Sequence, residues 1–225
     1  MSNLGPHTWP EVAAAPRRVL AIPVGAVEQH GPHLPLDTDV RVAVAVADGA
    51  ATMVDGAAVA PAIAFGASGE HAGFPGTLSI GTAALTAVLV ELGRSASADW
   101  PAVLFVNGHG GNHEALRDAV GLLRREGRRC DAFHVAWAGG DAHAGRTETS
   151  LLLALAPEAV RAGAAAPGAT APLADLLPRL RAEGVRAVSA NGVLGDPAGA
   201  SAAHGRELLA DAIGRCAEAL RTLSG

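Results

Sequence analysis

Four segments of the chain concentrate the residues that can do chemistry: VGAVEQHGPHLPLDTD, SGEHAG, NGHGGNH and DAHAGRTE. Together they hold most of the nine histidines, with several carboxylates and many glycines. In the first, Glu28 and His30 stand two residues apart, so an extended backbone projects them to the same side. Asp39 follows after a connection stiffened by Pro32 and Pro35. A carboxylate, an imidazole and a second carboxylate form an oxygen/nitrogen donor set suited to Zn, Mn or Fe(II), with no thiolate among them. Taken alone, the same residues serve equally well as a helix cap (Asp39) and as solvated side chains (Glu28, His30).

The NGHGGNH segment runs from strand through glycines to helix, as a phosphate loop does. Its spacing fails the GxGxxG pattern, because His113 stands where the third glycine belongs. His109 is therefore a candidate metal ligand, and His113 a supporting or structural residue. In DAHAGRTE, His143 lies in a turn and is a candidate for proton transfer. Glu148 falls at the N-terminus of the following helix, where the dipole favours an ionised carboxylate; it is either a ligand or a helix cap. Glu70 and His71 of SGEHAG are candidates for substrate or subunit contact, and an exposed polar loop explains them equally well.

The elements that must position these segments alternate. Strand-like runs are expected at 19–25, 57–66, 102–108 and 130–138. Helices are expected at 38–53, capped by Asp37 or Thr38, at 82–95, from an Asn112 cap through Glu126, and from about Ser150. A last helix carries Leu209, Ile213, Cys216 and Leu220 at helical spacing. Residues 162–172 read as a mobile surface loop, and 185–195 as ending in a strand or turn. This alternation predicts one α/β domain over residues 1–225, a mostly parallel sheet with helices on both faces. Such sheets bind ligands beyond the carboxyl ends of their strands, where all four His-bearing segments fall.

Composition narrows the chemistry further. All 17 basic residues are Arg and there is no Tyr, which removes Schiff bases, P-loop lysines, Ser-Lys dyads and tyrosine acids. A formal charge of −5 without a basic stretch argues against a nucleic-acid partner. The apolar runs are broken before membrane-spanning length, and MSNLGPHTWPEV is not a signal peptide, so a soluble cytoplasmic protein is expected. Cys130 and Cys216 lie in no CxxC pair and read as buried small hydrophobes.

VGAVEQHGPHLPLDTD, NGHGGN and HAGRTETS occur in an order that resembles the creatininase family of metal-dependent amidohydrolases, with a match from about residue 19 to the last helix. The resemblance implies a three-layer α/β/α fold and two divalent metal ions per chain (Zn, Fe(II) or Mn). It implies Glu28, His30, Asp39 and His109 as ligands, with Asp39 bridging. Creatininase itself has a His-x-Glu pair whose Glu ligates the second metal, whereas this chain has Gly111. Glu148 is therefore the expected fifth ligand, and His143 the expected proton-transfer residue. GASGEHAGFPGTLSIGT, GGDAHAGRTETS and VSANGVLGDP resemble most closely a peptidase branch that processes a radical-modified precursor peptide during redox-cofactor biosynthesis. That branch implies release of a fragment derived from a terminal Val-Tyr pair, and a homo-oligomer.

Three other readings stand beside it. A small-molecule amidohydrolase of the creatininase or formamide-deformylase type would share the metals. A serine hydrolase would use Ser68, although GASGE is not GxSxG. A metal-stabilised binding protein would keep the ligands without turnover.

Overall fold

The computed structural model describes residues 3–225. Four strands, β1 (Val19–Val24), β2 (Ala57–Val59), β3 (Ala102–Asn107) and β4 (Cys130–His134), form one sheet in the order β2-β1-β3-β4. Every pairing is parallel. Both faces of such a sheet are covered, so β1 and β3 are apolar along nearly their whole length rather than alternating.

Successive side chains of these strands enter opposite cores. Val19, Ala21, Leu104 and Val106 pack with Val46 of α2 (Thr38–Ala51), Leu151 and Leu152 of α5 (Arg146–Leu155), and Leu209, Cys216 and Leu220 of α8 (Ala202–Ser224). Leu20, Ile22, Val103 and Phe105 pack with Leu85 and Leu89 of α3 (Gly81–Ala96), and with Leu116 and Leu123 of α4 (His113–Arg125). Each fully buried Leu or Phe contributes about 1.5–3 kcal/mol. The expected α/β/α layering is what forms, and both cysteines are buried and free. Among the described residues no helix is long and apolar enough to cross a membrane.

Several boundaries differ from the sequence expectation. The run 57–66 is a strand only to Val59: Ala60 N still donates to the Ala21 carbonyl, but the next bond to β1 comes from Ile63 and not Ala62, so an extra residue breaks the register before Ile63 bridges to Val24. The run 130–138 stops at His134, one backbone bond from Val135 to Asn107 O continuing past it. α5 begins at Arg146 rather than Ser150, since the Asp141 carboxylate accepts the N–H groups of both Arg146 and Thr147. Asp37 pairs with Arg41 instead of capping α2.

Two further differences matter for the site. Residues 173–183, left without an element by the sequence, form helix α6 (Leu173–Glu183) around an internal Pro178, followed by a turn of helix, α7 (Val185–Val188). The 162–172 segment is exposed but tied down. Gly168 and Ala169 donate to the carbonyls of Gly195 and Val193, and Arg161 to that of His33.

Two glycines set how closely α2 meets the sheet. A Cβ on Gly25 would lie 2.7 Å from the Val40 backbone, and one on Gly108 would lie 2.5 Å from the Asp39 carbonyl oxygen. Neither has a positive φ, so space and not backbone conformation demands the glycine. Gly108→Ala is expected to lower stability by about 1–3 kcal/mol in urea unfolding, because α2 must be pushed off the ends of β1 and β3.

Candidate metal centre

β1 and β3 lie side by side with Val24 opposite Asn107, and the order of strands reverses between them. The crevice beyond their carboxyl ends is the binding position of open α/β sheets. Glu28 and His30 enter it from the loop after β1, His109 from the loop after β3, and Asp39 from the first turn of α2. His143 and Glu148 come from the turn that begins α5. These six residues therefore meet in one place, with Glu28 and His30 fully buried.

The donor atoms form three overlapping groups: Glu28, Asp39 and His109; His30, His143 and Glu148; Glu28, His71 and His143. Asp39 joins the first two. Its Oδ1 is 3.0 Å from His30 Nε2, and its Oδ2 is 3.3 Å from His109 Nδ1. Glu28 Oε2 is 3.2 Å from the same His109 nitrogen, and Glu148 Oε2 is 3.9 Å from His30 Nε2.

Hydrogen bonds on the far side of each ring decide what these nitrogens present. His30 Nδ1 is 3.1 Å from the Glu28 carbonyl and donates to it, so Nε2 turns a lone pair towards Asp39. His109 Nε2 is 3.3 Å from the Ala67 carbonyl, which turns the Nδ1 lone pair towards Glu28 and Asp39. Lone pairs facing carboxylate oxygens repel unless a cation, a proton or a metal ion, lies between. Both Glu28 oxygens and Asp39 Oδ2 are buried and accept no hydrogen bond. This donor set fits divalent metal ions.

Without such ions, protons carry the compensation. Burial pushes the Glu28 carboxyl up to about 7, against the pull of His109. Burial also opposes charge on His30, but Asp39 overrides it and carries the imidazole up to about 10. Burial works against ionisation of Asp39 too, yet His30 and His109 hold it far below the ordinary carboxylate range. Burial and the neighbouring His30 keep His143 well below the usual imidazole value, and burial takes His71 to about 4.

Gln29, which the sequence did not single out, arranges the neutral pair. Its amide nitrogen donates to His71 Nδ1 at 2.8 Å and to the Gly192 carbonyl at 3.0 Å. His143 Nε2 donates to the Gln29 carbonyl at 2.8 Å. The free His143 Nδ1 then faces Glu28 and Glu148 at 3.7 and 4.0 Å. His71 is buried with Nε2 3.2 Å from Glu28 Oε1, so it belongs to the site rather than to an exposed loop.

Asn112 precedes α4 but does not cap it; it accepts from Ala67 N and donates to the Gly25 carbonyl and Asn107 Oδ1, lacing three loops together. His113 stacks on His134 with ring centroids 3.8 Å apart. Glu148 both accepts the Ala144 N–H and faces the site, while Asp141 does the capping of α5. Ala144 has φ of 52°, strained for a residue with a Cβ, and that conformation aims its N–H at Glu148. Ser68 Oγ is buried with no hydrogen-bond partner, which leaves the serine-nucleophile reading without a base.

The chain matches the family described as creatininase, creatinine amidohydrolase, over residues 6–220. It belongs to the creatininase family. It is 53% identical to the mycofactocin precursor peptide peptidase of Mycolicibacterium smegmatis, over 98% of this chain and 91% of that one. Among solved structures, a creatininase variant of the Zn–Zn type and a creatininase described as the Mn form each superpose with a TM-score of 0.83 at 29% identity. Each comparison covers 100% of this chain and 99% of the other.

Two adjoining cavities open onto this cluster. One, of about 720 Å³, is lined by Glu28, His109, His143 and Glu148 on one side and by Leu177 and Leu180 of α6 on the other. The second, of about 400 Å³, shares His109 and Glu148 and extends past His113, Trp137 and Thr147. Replacing Gln29 by Leu is expected to cost about 1–3 kcal/mol in chemical unfolding, because the Gly192 carbonyl and Gly31 N–H lose their partner. Imidazole ¹⁵N spectra of that variant should show His71 released from its single tautomer.

Proposed function

We propose that this chain is a metal-dependent hydrolase of amide bonds, and that its substrate is the modified mycofactocin precursor peptide, from which it releases a Val-Tyr-derived fragment. The observation that carries the chemistry is the placement of Asp39, whose two carboxylate oxygens address two separate His/carboxylate groups. Glu28 and His109 would hold one ion, His30 and Glu148 the other, with Asp39 shared. Zn, Mn and Fe(II) all suit these donors. Ions held there supply Lewis acidity and lower the pKa of bound water towards neutrality.

The protein's own groups do the rest. His143 is the proton-transfer residue: its Nε2–H is fixed on the Gln29 carbonyl, so Nδ1 is the atom that takes a proton from water and returns it to the leaving amine. Its neutral state, maintained by burial, suits an acceptor. The Leu177 and Leu180 wall excludes water on the far side of the cleft and offers an apolar seat to a substrate side chain.

The peptide substrate rests on the identity to the peptidase and on the size of the cleft. Adjoining cavities of about 720 and 400 Å³ have room for several residues of a peptide. The exposed Leu36, Phe65, Leu78 and Ile80 lie on loops held side by side next to the site, which supports a homo-oligomer. Buried free thiols suit a cytoplasmic location.

Purified protein incubated in parallel with modified precursor peptide and with creatinine should cleave the peptide; turnover of creatinine alone would sink the substrate assignment. Elemental analysis should count two ions per chain in the wild type and none in Asp39→Ala. His143→Ala should retain both ions and lose about 10²–10⁴-fold in kcat. Loss of an ion from that variant would make His143 a ligand instead.

A further inference from the structure

Glu70 stands at the mouth of the site, in the 3₁₀ turn Gly69–His71, and takes no part in the three donor groups. Its Oε1 is 3.4 Å from His109 Nε2, the nitrogen on the far side of the ring from Glu28 and Asp39. The Ala67 carbonyl reaches the same nitrogen at 3.3 Å. Two acceptors therefore converge on Nε2, which must carry the proton.

Gly111 lies against this contact. A Cβ there would run into the Ala67 carbonyl, the Glu70 carboxylate and His109 Nε2 together. Its backbone does not demand a glycine, because its φ is not positive. The preceding Gly110 meets nothing within 4 Å of a Cβ, so the tightness is confined to position 111. The missing side chain at 111 is the space through which the Glu70 carboxylate reaches the histidine.

We propose that Glu70 is a positioning residue that orients His109 through its Nε2–H, and that Gly111 is the notch that admits it. A carboxylate behind a ligating imidazole fixes its tautomer and rotation and raises the basicity of the nitrogen that faces the metal. The inference rests on the reading of His109 as a ligand. Glu70 binds no ion itself. Its effect falls on the ion that His109 shares with Glu28 and Asp39, and the ion near His30 is untouched.

The test is titration of the metal-free full-length protein with Co²⁺, followed by its visible ligand-field bands and by calorimetry. Wild type should bind two ions per chain. Glu70→Ala should weaken one of the two by about 10–100-fold and alter its bands, leaving the other unchanged. Glu70→Gln, whose amide oxygen can still accept the Nε2–H, should recover most of that loss and keep both ions. Gly111→Ala, which retains Glu70 but blocks its approach, should resemble Glu70→Ala. Wild-type affinities and bands in Glu70→Ala overturn the proposal, as does outright loss of an ion in Glu70→Gln, which would make Glu70 a ligand. Absence of Co²⁺ binding by the wild type removes the ligand reading of His109 and this inference with it. Glu70 is partly exposed on a surface turn, so Glu70→Ala remains a folded test even where Gly111→Ala fails to fold.

Discussion

A cation between Asp39 and the two imidazoles that flank it is what the rest of the site is built to require. His30 and His109 each spend one ring nitrogen on a backbone carbonyl and turn the other towards carboxylate oxygens. Glu28, wholly buried, adds two oxygens that accept no hydrogen bond. Sequestering an unpaired ion in a protein interior costs several kcal/mol. Nothing in the two apolar cores needs such a cluster. Protons can fill the gaps, as the raised His30 and the depressed Asp39 show. Divalent ions would fill them as well, since Asp39 turns one oxygen towards each of the two histidines.

That cluster constrains the scaffold above it. Asp39 can reach both groups only if α2 begins almost on top of the ends of β1 and β3, and Gly25 and Gly108 permit that approach. Asn112 then fastens the loops after β1, β2 and β3 to one another through three hydrogen bonds. Gln29 performs the matching task on the other side, its side-chain amide joining the His71 loop to Gly192 while its backbone carbonyl holds His143. Both amides are buried and satisfied, so they act as struts: removing one leaves polar groups stranded as well as loops untethered.

The ligand candidates were legible because their chemistry and their position after strands coincide in the sequence. Residue type and spacing marked Glu28, His30, Asp39 and His109 only as candidates, the family resemblance joined them into one donor set, and the alternation of apolar runs gave the layered fold. Glu148 was legible as a first-turn carboxylate, but Asp141 was not visible as the cap that frees it, since the two bonds form only when the 139–147 turn closes. Asn112 carries the ordinary mark of a helix cap, and tertiary contacts override that preference. Gln29 has no distinguishing pattern at all; its role exists only once three distant loops meet. α6 was hidden by Pro178, which breaks the helical signal in the sequence while the remaining Leu residues still hold the helix to the protein. The partial strands at 57–66 and 130–138 show the same limit: apolar composition marks burial, but the register shift beside β1 and the end of β3 at Asn107, which stop the pairing, are tertiary facts.

The sheet and the helices are common ground between this chain and the creatininases, so neither selects the substrate. Selection must lie in what lines the cleft away from the donor cluster. There α6, seated by Leu180 on Val185 and Leu194, presents Leu177 across from His143 and Glu148. The Val193 carbonyl anchors the 162–172 segment that leads into α6, so the wall is fixed to the same turn that bears Gly192. Beyond it the cleft continues past Trp137, whose indole nitrogen is tied to the Leu208 carbonyl and whose ring is thereby held in place. The α6 wall and the anchored indole extend the lining of the cleft beyond the donor cluster, which favours a substrate longer than the bond being broken. A peptide has that length, and a small cyclic amide would leave both surfaces bare.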